Sequence, residues 1–348
     1  MIIQENEKSN INNVLDQFYV KSGHRYLGDS LEIAKYQNLF EEHFKKISSR
    51  FPQNFSDITQ YHFSSSGKLL RAKLILQTAL SYNADVEAAL NWACAVEIIH
   101  NASLIHDDIC DRDTHRRQKA SVPKYFGMPT ALCFGDGLIA SSFAVISNYP
   151  GCVTALAAGI TEICDAQIAE FNVQGYPCWD VYKKIATGKT APLLQIGVQG
   201  ALDLAGESEL YPSCEEFLAK IGLCYQLIND LKNFSGTDGA MSPCSDLSNV
   251  RPNAVIACFR ESLKAKDALR FDCWADNIRS GKLIADTTET REWWYLVKES
   301  DAFQCVFKRA ETLLASAHSD LEDLPFPLAK ILCQLLIWVE QSIHSSRV

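Results

Sequence analysis

Residues 103–118 read SLIHDDICDRDTHRRQ, which sets the carboxylates Asp107, Asp108 and Asp111 beside the guanidinium groups of Arg116 and Arg117. Asp107 and Asp111 are four residues apart and share one helical face, where like charges repel unless a cation lies between them. Hard carboxylate oxygens suit Mg2+, which keeps several waters and bridges to phosphate. A neighbouring arginine pair grips phosphate oxygens bidentately. A lone DxxxD is ordinarily a solvated helix end, but three acids at a helix C-terminus oppose the dipole and call for a reason other than helix stability.

Three further stretches carry compatible chemistry. In YQLINDLKNF, residues 225–234, Asn229, Asp230 and Asn233 repeat the i, i+1, i+4 spacing of the first cluster inside another apolar helix. In SSSGKLLRAKL, residues 64–74, Lys68 and Arg71 stand at a serine- and glycine-led helix start, a place where free N–H groups and bases hold a diphosphate; a capped helix with surface bases is the plainer alternative. Lys189 and Thr190 of TGKTAPLL fall inside an apolar helix, where a cation needs an anionic partner, and a phosphate would serve.

The elements that must position these groups read as helical throughout. Apolar residues recur at spacings of three and four, predicting helices at about 30–50, 67–82, 85–111, 129–147, 151–174, 179–204, 214–235, 252–266, 297–321 and 327–345. Proline and glycine fall at the breaks. The segment 267–296 has weak periodicity and is not placed. No repeat or low-complexity linker appears, so the reading is a flexible N-terminal segment, 1–25, ahead of one domain, 26–348.

The 348 residues are 47% hydrophobic and 22% charged, a globular composition. The net charge of -9, with no basic stripe, argues against nucleic acid as a partner. Thirteen cysteines, among them Cys94, Cys133, Cys164, Cys224 and Cys333, sit singly in apolar runs without zinc-like spacing and read as buried residues of a reducing compartment. No run of ~18 uninterrupted apolar residues predicts stable membrane insertion. The N-terminus lacks an apolar signal core. The expectation is a cytoplasmic enzyme.

Taken in order, these stretches resemble the trans-isoprenyl diphosphate synthases, or polyprenyl synthetases, from about Gly67 to Arg251. The DDxxD motif followed by RR is matched by Asp107, Asp108, Asp111, Arg116 and Arg117. GKxxR is matched by Gly67, Lys68 and Arg71, and an upstream histidine by His100. Ala166, Gln167 and Glu170 match the GQ-acid element, Lys189 and Thr190 the KT motif, and Tyr225, Gln226, Asn229, Asp230 and Asn233 the FQxxDDxxD motif.

The resemblance implies an all-α, isoprenoid synthase-type helical bundle around a deep central cavity, with the two acidic motifs facing each other across it. It implies three Mg2+ ions held by Asp107, Asp108, Asp111, Asn229, Asp230 and Asn233. Asp107, Asp111, Arg116, Lys189 and Gln226 take the catalytic roles. Lys68, Arg71, His100, Arg116, Arg117, Lys189 and Thr190 bind prenyl diphosphate substrates. Ionisation of an allylic diphosphate leaves a carbocation that isopentenyl diphosphate attacks before losing a proton to pyrophosphate. A homodimer is implied as well.

Departures qualify this picture. Asn229 and Asn233 stand where aspartates are usual, so the metal at the second motif should be held more weakly. Met241 and Arg251 replace lysines further on, and Gln118 replaces the glycine after the arginine pair. Chain elongation is the leading reading, because Lys68, Arg71, His100 and Arg117 form an acceptor group that a cyclase would not need. A class I terpene synthase, or prenyl transfer to another acceptor, stays open because Asn229 and Asp230 begin the (N/D)DxxSxxxE pattern, although Asn233 and Thr237 then break it. A weakly active partner subunit is the third reading. Small Ala102 and Ser103, one turn before Asp107, predict a channel open to chains longer than C15 unless Phe134 or Phe143 closes it.

Overall fold

The computed structural model describes residues 31–64, 69–236, 245–283 and 288–344. The segment 1–25 lies outside them, as do Gly67, Lys68, Thr237 and Met241. Helices account for nearly all the regular structure: α1 Leu31–Ser48, α2 Ser56–Phe63, α3 Leu70–Ser81, α4 Val86–Cys110, α5 Val122–Phe126, α6 Met128–Val145, α7 Pro150–Phe171 and α8 Trp179–Thr190 come first. They are followed by α9 Pro192–Ala205, α10 Tyr211–Ser235, α11 Ser245–Ser248, α12 Ala254–Ser262, α13 Ala265–Arg279, α14 Thr288–Lys298, α15 Ala302–Leu321 and α16 Phe326–His344. A two-stranded hairpin, β1 His115–Arg116 and β2 Lys119–Ala120, follows α4.

Two compact units are assembled from interleaved stretches of chain. Unit 1 takes residues 1–159, 193–216 and 320–335; unit 2 takes 160–192, 217–319 and 336–348. Neither is a contiguous half, which is why no linker composition marks a boundary.

Unit 1 is organised around α4, a 25-residue helix buried on nearly every side, which packs against α1, α3 and α6. Asp85 caps its N-terminus, accepting from the Ala88 N–H at 2.8 Å. At the opposite end it delivers Asp107, Asp108 and Asp111. The Trp92 indole donates to the Gly197 carbonyl at 2.9 Å, and a Cβ on Gly200 would collide with the same ring, so glycine lets α9 close on α4.

Unit 2 carries the second acidic stretch on α10. Here α12 packs against α8, α13 and α14, with Phe259, Phe271, Trp274 and Trp293 forming an aromatic core. The unplaced segment 267–296 is helical over α13 and α14; their buried residues Ala268, Phe271, Ala275 and then Thr290, Trp293, Val297 keep helical spacing, obscured in sequence by surrounding charge.

Other differences from the sequence reading have local causes. The helix expected over 179–204 is broken at Ala191–Pro192, where proline lacks the N–H that continuation requires. The expected 252–266 helix ends at Ser262, because Leu263 turns extended. Cys94, Cys224 and Cys333 are buried as expected, but Cys133 and Cys164 are exposed. Among the described residues, 128–145, 150–171 and 326–343 are helical stretches long and apolar enough by composition to cross a bilayer, each interrupted by at least one acid.

Candidate active site

The C-terminal turn of α4 sorts its three aspartates by environment. Asp107 and Asp111 are half-buried and one turn apart, the Asp111 N–H donating to the Asp107 carbonyl at 2.8 Å. Asp108 is 1% exposed, and its Oδ1 accepts from both Arg116 Nε and Arg116 Nη2 at 2.7 Å. Burial pushes its carboxyl up from the ordinary range while Arg116 pulls it down. Asp108 was expected among the metal ligands; in this structure its Oδ1 is taken up by an arginine. That arginine, expected to be open to phosphate, also reaches Asp113 at 3.8 Å.

The hairpin after α4 fixes the arginine pair. Register pairs Arg116 with Lys119 and His115 with Ala120, leaving Arg117 and Gln118 as the two turn residues. Both have positive φ, 51° and 64°. A two-residue turn with this signature matches the right-handed twist of the strands, and glycine or asparagine is preferred there. Gln118 therefore occupies strained backbone where the expected glycine would be at ease.

Beside this hairpin the bases of unit 1 converge. His100 is pushed well below the ordinary imidazole range, first by burial and then by Arg71, Arg117 and Arg116. The Nε of Arg71 is buried without a hydrogen-bond partner. A guanidinium N–H left orphaned among other cations fits an anion with several acceptor oxygens. Sequence reasoning missed three residues of this cluster. His62 bonds Asn101 Oδ1 at 3.0 Å; because Asn101 donates its amide N–H to the Glu97 carbonyl at 2.8 Å, the imidazole donates from Nε2. Burial, reinforced by Arg117, pushes His62 down to about 4, so it is neutral. Glu97 accepts the Ala72 N–H at 3.1 Å, so the start of α3 already has a carboxylate on one of its amides. No sequence pattern marks these residues: Glu97 and Asn101 sit within the largely apolar α4, and His62 meets its partner only across thirty-nine residues of chain.

In unit 2, Lys189 is not waiting for a phosphate alone: its Nζ lies 2.6 Å from Glu170 Oε2, the acid of the GQ element. Gly188 makes this approach feasible, since a Cβ there would meet Ala166. Thr190 Oγ1 donates to Gln226 Oε1 at 3.4 Å, and Gln226 Nε2 donates to Asp230 Oδ1 at 2.7 Å. Asp230 Oδ2 also accepts from Tyr182 OH at 2.6 Å and from the Ala254 N–H at 2.7 Å.

The consequence is that the one acid of the second motif is a clasp. Asp230 is 2% exposed, and burial, with Asp246 adding to it, pushes its carboxyl up to about 7. Expected as a metal ligand, it is enclosed in this structure. Asn233 is buried as well, donating to Ser245 Oγ at 2.9 Å. Asn229 alone of the three is exposed. Asn253 closes the arrangement, bonding the Asp230 carbonyl at 3.2 Å and Asp246 Oδ2 at 2.9 Å.

Among the described residues no three-membered group of histidine, cysteine and acid side chains forms a metal cage. Asp107 and Asp111 fit Mg2+ of the kind that completes its sphere with water and substrate oxygens. The small residues before them differ: Ala102 is 1% exposed, whereas Ser103 is half-buried with its hydroxyl turned back to the His100 carbonyl at 2.8 Å. Phe134 is buried against Phe55, whose ring occupies the space over Gly137.

Comparison with known proteins agrees with these motifs. A short chain isoprenyl diphosphate synthase of Methanocaldococcus jannaschii is 33% identical over 180 residues, 49% of this chain and 55% of that protein. A geranylgeranyl diphosphate synthase of Mycobacterium tuberculosis is 32% identical over 184 residues, 50% of this chain and 53% of that protein. This chain thus spans about half the length of these two relatives. An all-trans-nonaprenyl-diphosphate synthase (geranyl-diphosphate specific) of Rhodobacter capsulatus is 24% identical over 275 residues, 77% of this chain and 82% of that protein. A solved decaprenyl diphosphate synthase from Rhodobacter capsulatus superposes with a TM-score of 0.78 at 19% identity, covering 91% of this chain and 98% of that one. The fold is therefore the all-α isoprenoid synthase type. With residues 52–289, more than half of the chain, matching the polyprenyl synthetase model, this chain belongs to the polyprenyl synthetase family.

Proposed function

We propose that this chain is a Mg2+-dependent trans-prenyltransferase that condenses an allylic prenyl diphosphate with isopentenyl diphosphate to give a longer prenyl diphosphate. The observation that carries the reading is the convergence of Arg71, Arg116 and Arg117 on half-buried His100, with the Arg71 Nε unpartnered. An enzyme that only ionised and cyclised one diphosphate would need no such second anion site. His100 and His62 are held neutral there, so both can donate without adding charge, and the arginines supply the positive field for the acceptor diphosphate.

Mg2+, when bound, neutralises charge developing on departing pyrophosphate. Asp107 and Asp111 would hold it. Of the three ions usual for such a site, the one served by the second motif is weakened, because Asp230 is enclosed and Asn229 brings no charge. Within unit 1 Arg116 is oriented by Asp108, and within unit 2 Lys189 is oriented by Glu170; each is a fixed cation of the kind that suits diphosphate oxygens. A homodimer is also proposed. Exposed Met128 and Leu132 on α6, and Ile168 and Phe171 on α7, support burial of apolar helix faces by a second copy.

Incubation with allylic diphosphates and Mg2+, with and without isopentenyl diphosphate, tests the activity. A longer diphosphate formed only when the acceptor is present supports elongation; hydrocarbon product from the allylic substrate alone overturns it.

A further inference from the structure

Unit 2 holds a sulfur pair outside the prenyl chemistry. Cys258 lies within α12 and is 4% exposed, while Cys305, in the first turn of α15, is half-buried. Cys258 stands one turn before Glu261 and Cys305 one turn before Arg309, and the Glu261–Arg309 ion pair at 2.6 Å draws these two helix faces together, so the thiols are near enough to act on each other electrostatically. Arg309, one turn beyond Cys305, donates from Nε to Cys305 Sγ at 3.4 Å. The arginine is itself fixed: its Nη2 lies 2.6 Å from Glu261 Oε2, and its guanidinium carbon sits 4.0 Å from the centroid of the Trp179 ring.

A cysteine that only fills space in a helix needs neither a second thiol nor a fixed cation. Thiol–disulfide exchange needs both: an accessible sulfur, a positive charge where the thiolate develops, and an adjacent sulfur to complete the reaction. The three groups stand together here, on α12 and the start of α15.

We propose that Cys258 and Cys305 form a dithiol modification site that takes a low-molecular-weight disulfide and closes to an intramolecular disulfide. In the first step the Cys305 thiolate attacks one sulfur of the small disulfide, giving a mixed disulfide on Cys305, and the released thiolate takes up the proton that Cys305 gave up. In the second, the Cys258 sulfur attacks Cys305 Sγ, and the second small thiolate departs and takes up the Cys258 proton. Two protein thiols are oxidised to one disulfide, and one small disulfide is reduced to two thiols. Burial pushes the Cys258 thiol up, which suits a resolving sulfur rather than a leading one. Cys258 lies one turn after Ala254, whose N–H holds Asp230, so the bond would tie the helix start that clasps the second motif to α15. The assignment does not rest on the prenyltransferase reading.

The test is folded full-length chain incubated with glutathione disulfide, quenched in acid, alkylated, digested and analysed by mass spectrometry. The expected product is a Cys258–Cys305 cross-linked peptide, lighter by two hydrogens and free of glutathione. Cys258→Ser should trap glutathione on Cys305, and Arg309→Gln should slow modification of Cys305 at least about fivefold. The wild-type cross-link needs no variant, and thermal melts establish that the variants fold. Glutathione appearing on exposed Cys133, Cys164 or Cys273 while Cys305 stays alkylatable would overturn the proposal. So would a wild-type reaction that stops at the mixed disulfide.

Discussion

Arg116 places two nitrogens, Nε and Nη2, each 2.7 Å from a single oxygen of Asp108, eight residues earlier in the chain. The middle acid of the first motif is thereby spent on orienting the arginine that follows it. Asp107 and Asp111, on the other side of the same turn, keep the carboxylates suited to a hydrated cation. The motif therefore divides into one internal brace and two carboxylates proposed as ligands, and the division is testable.

Asp108→Ala leaves a largely enclosed guanidinium without its main counter-charge and should cost about 2–3 kcal/mol of fold stability. Asp107→Ala and Asp111→Ala should leave stability within about 0.5 kcal/mol, as surface-type changes do, while lowering Mg2+-dependent turnover at least about 100-fold. Urea unfolding and prenyl-transfer assays on the three variants separate the roles. Equal stability losses in all three would remove the distinction.

Gln118 offers a gain rather than a loss. Its φ of 64° in a two-residue hairpin turn is unfavourable for a residue with a Cβ. Gln118→Gly relieves that strain and adds back some unfolded-state entropy, for a net stabilisation of about 0.5–1 kcal/mol. A melting temperature that stays put or falls would show that the glutamine side chain compensates through contacts of its own.

The helical framework was legible in the sequence because the buried stripes of α4, α6 and α10 repeat at helical spacing over many turns. The first acidic cluster was legible for the same reason: its spacing is local. What was not legible is who pairs with whom. Lys189 finds Glu170 nineteen residues back, and Asp230 finds Tyr182 forty-eight residues back, across helix packing that periodicity does not encode. The hairpin was missed because strands of two residues are too short to show a period of two, although the turn residues between them, Arg117 and Gln118, are what its geometry strains.

Asn229 tests the second motif. It is exposed while Asp230 and Asn233 are enclosed, so it is the position from which a side chain can meet a cation. Asn229→Asp should lower the Mg2+ concentration for half-maximal activity several-fold, because an ionised oxygen attracts a dication more strongly than an amide does. An unchanged Mg2+ curve would mean that position 229 does not reach the metal.

Two buried groups should oppose each other in the acid range. Asp230, raised from 3.8 to about 7, keeps a proton in the native state that the unfolded chain releases, so its contribution is present below about pH 4 and is lost as pH rises to about 7. His62, lowered from 6.5 to about 4, does the reverse: the unfolded chain binds the proton first, so its contribution is present above about pH 6.5 and is lost as pH falls to about 4. Relative to wild type, Asp230→Asn should tilt the stability curve upward from pH 4 to 6.5 and His62→Gln should tilt it downward, the common background of His100 and Asp108 cancelling in the comparison. Denaturant midpoints across this range read both slopes directly. Parallel curves for the two variants would refute the opposing assignments.

For the proposed elongation, the position to test for control of chain length is Ser103 rather than Ala102. Both were small enough to leave a channel open, but Ala102 is packed within unit 1 at 1% exposure, and a phenylalanine there would overpack the core at a cost of about 1–3 kcal/mol. Ser103 is half-buried, one turn before Asp107, and its hydroxyl is satisfied by its own helix, so the side chain can be replaced without orphaning a partner. An aromatic ring at that position would stand one turn before the acidic turn proposed to hold the diphosphate through its metal. Each isoprene unit adds five carbons, and at about 0.8 kcal/mol per buried CH2 a lost unit of channel depth is several kcal/mol of discrimination. Ser103→Phe should therefore shift the product distribution at least one isoprene unit shorter, with little change in the concentration of isopentenyl diphosphate needed for half-maximal rate. Product lengths identical to wild type from a stably folded variant would place the growing chain elsewhere, with Phe55, over Gly137 and against Phe134, as the next residue to truncate.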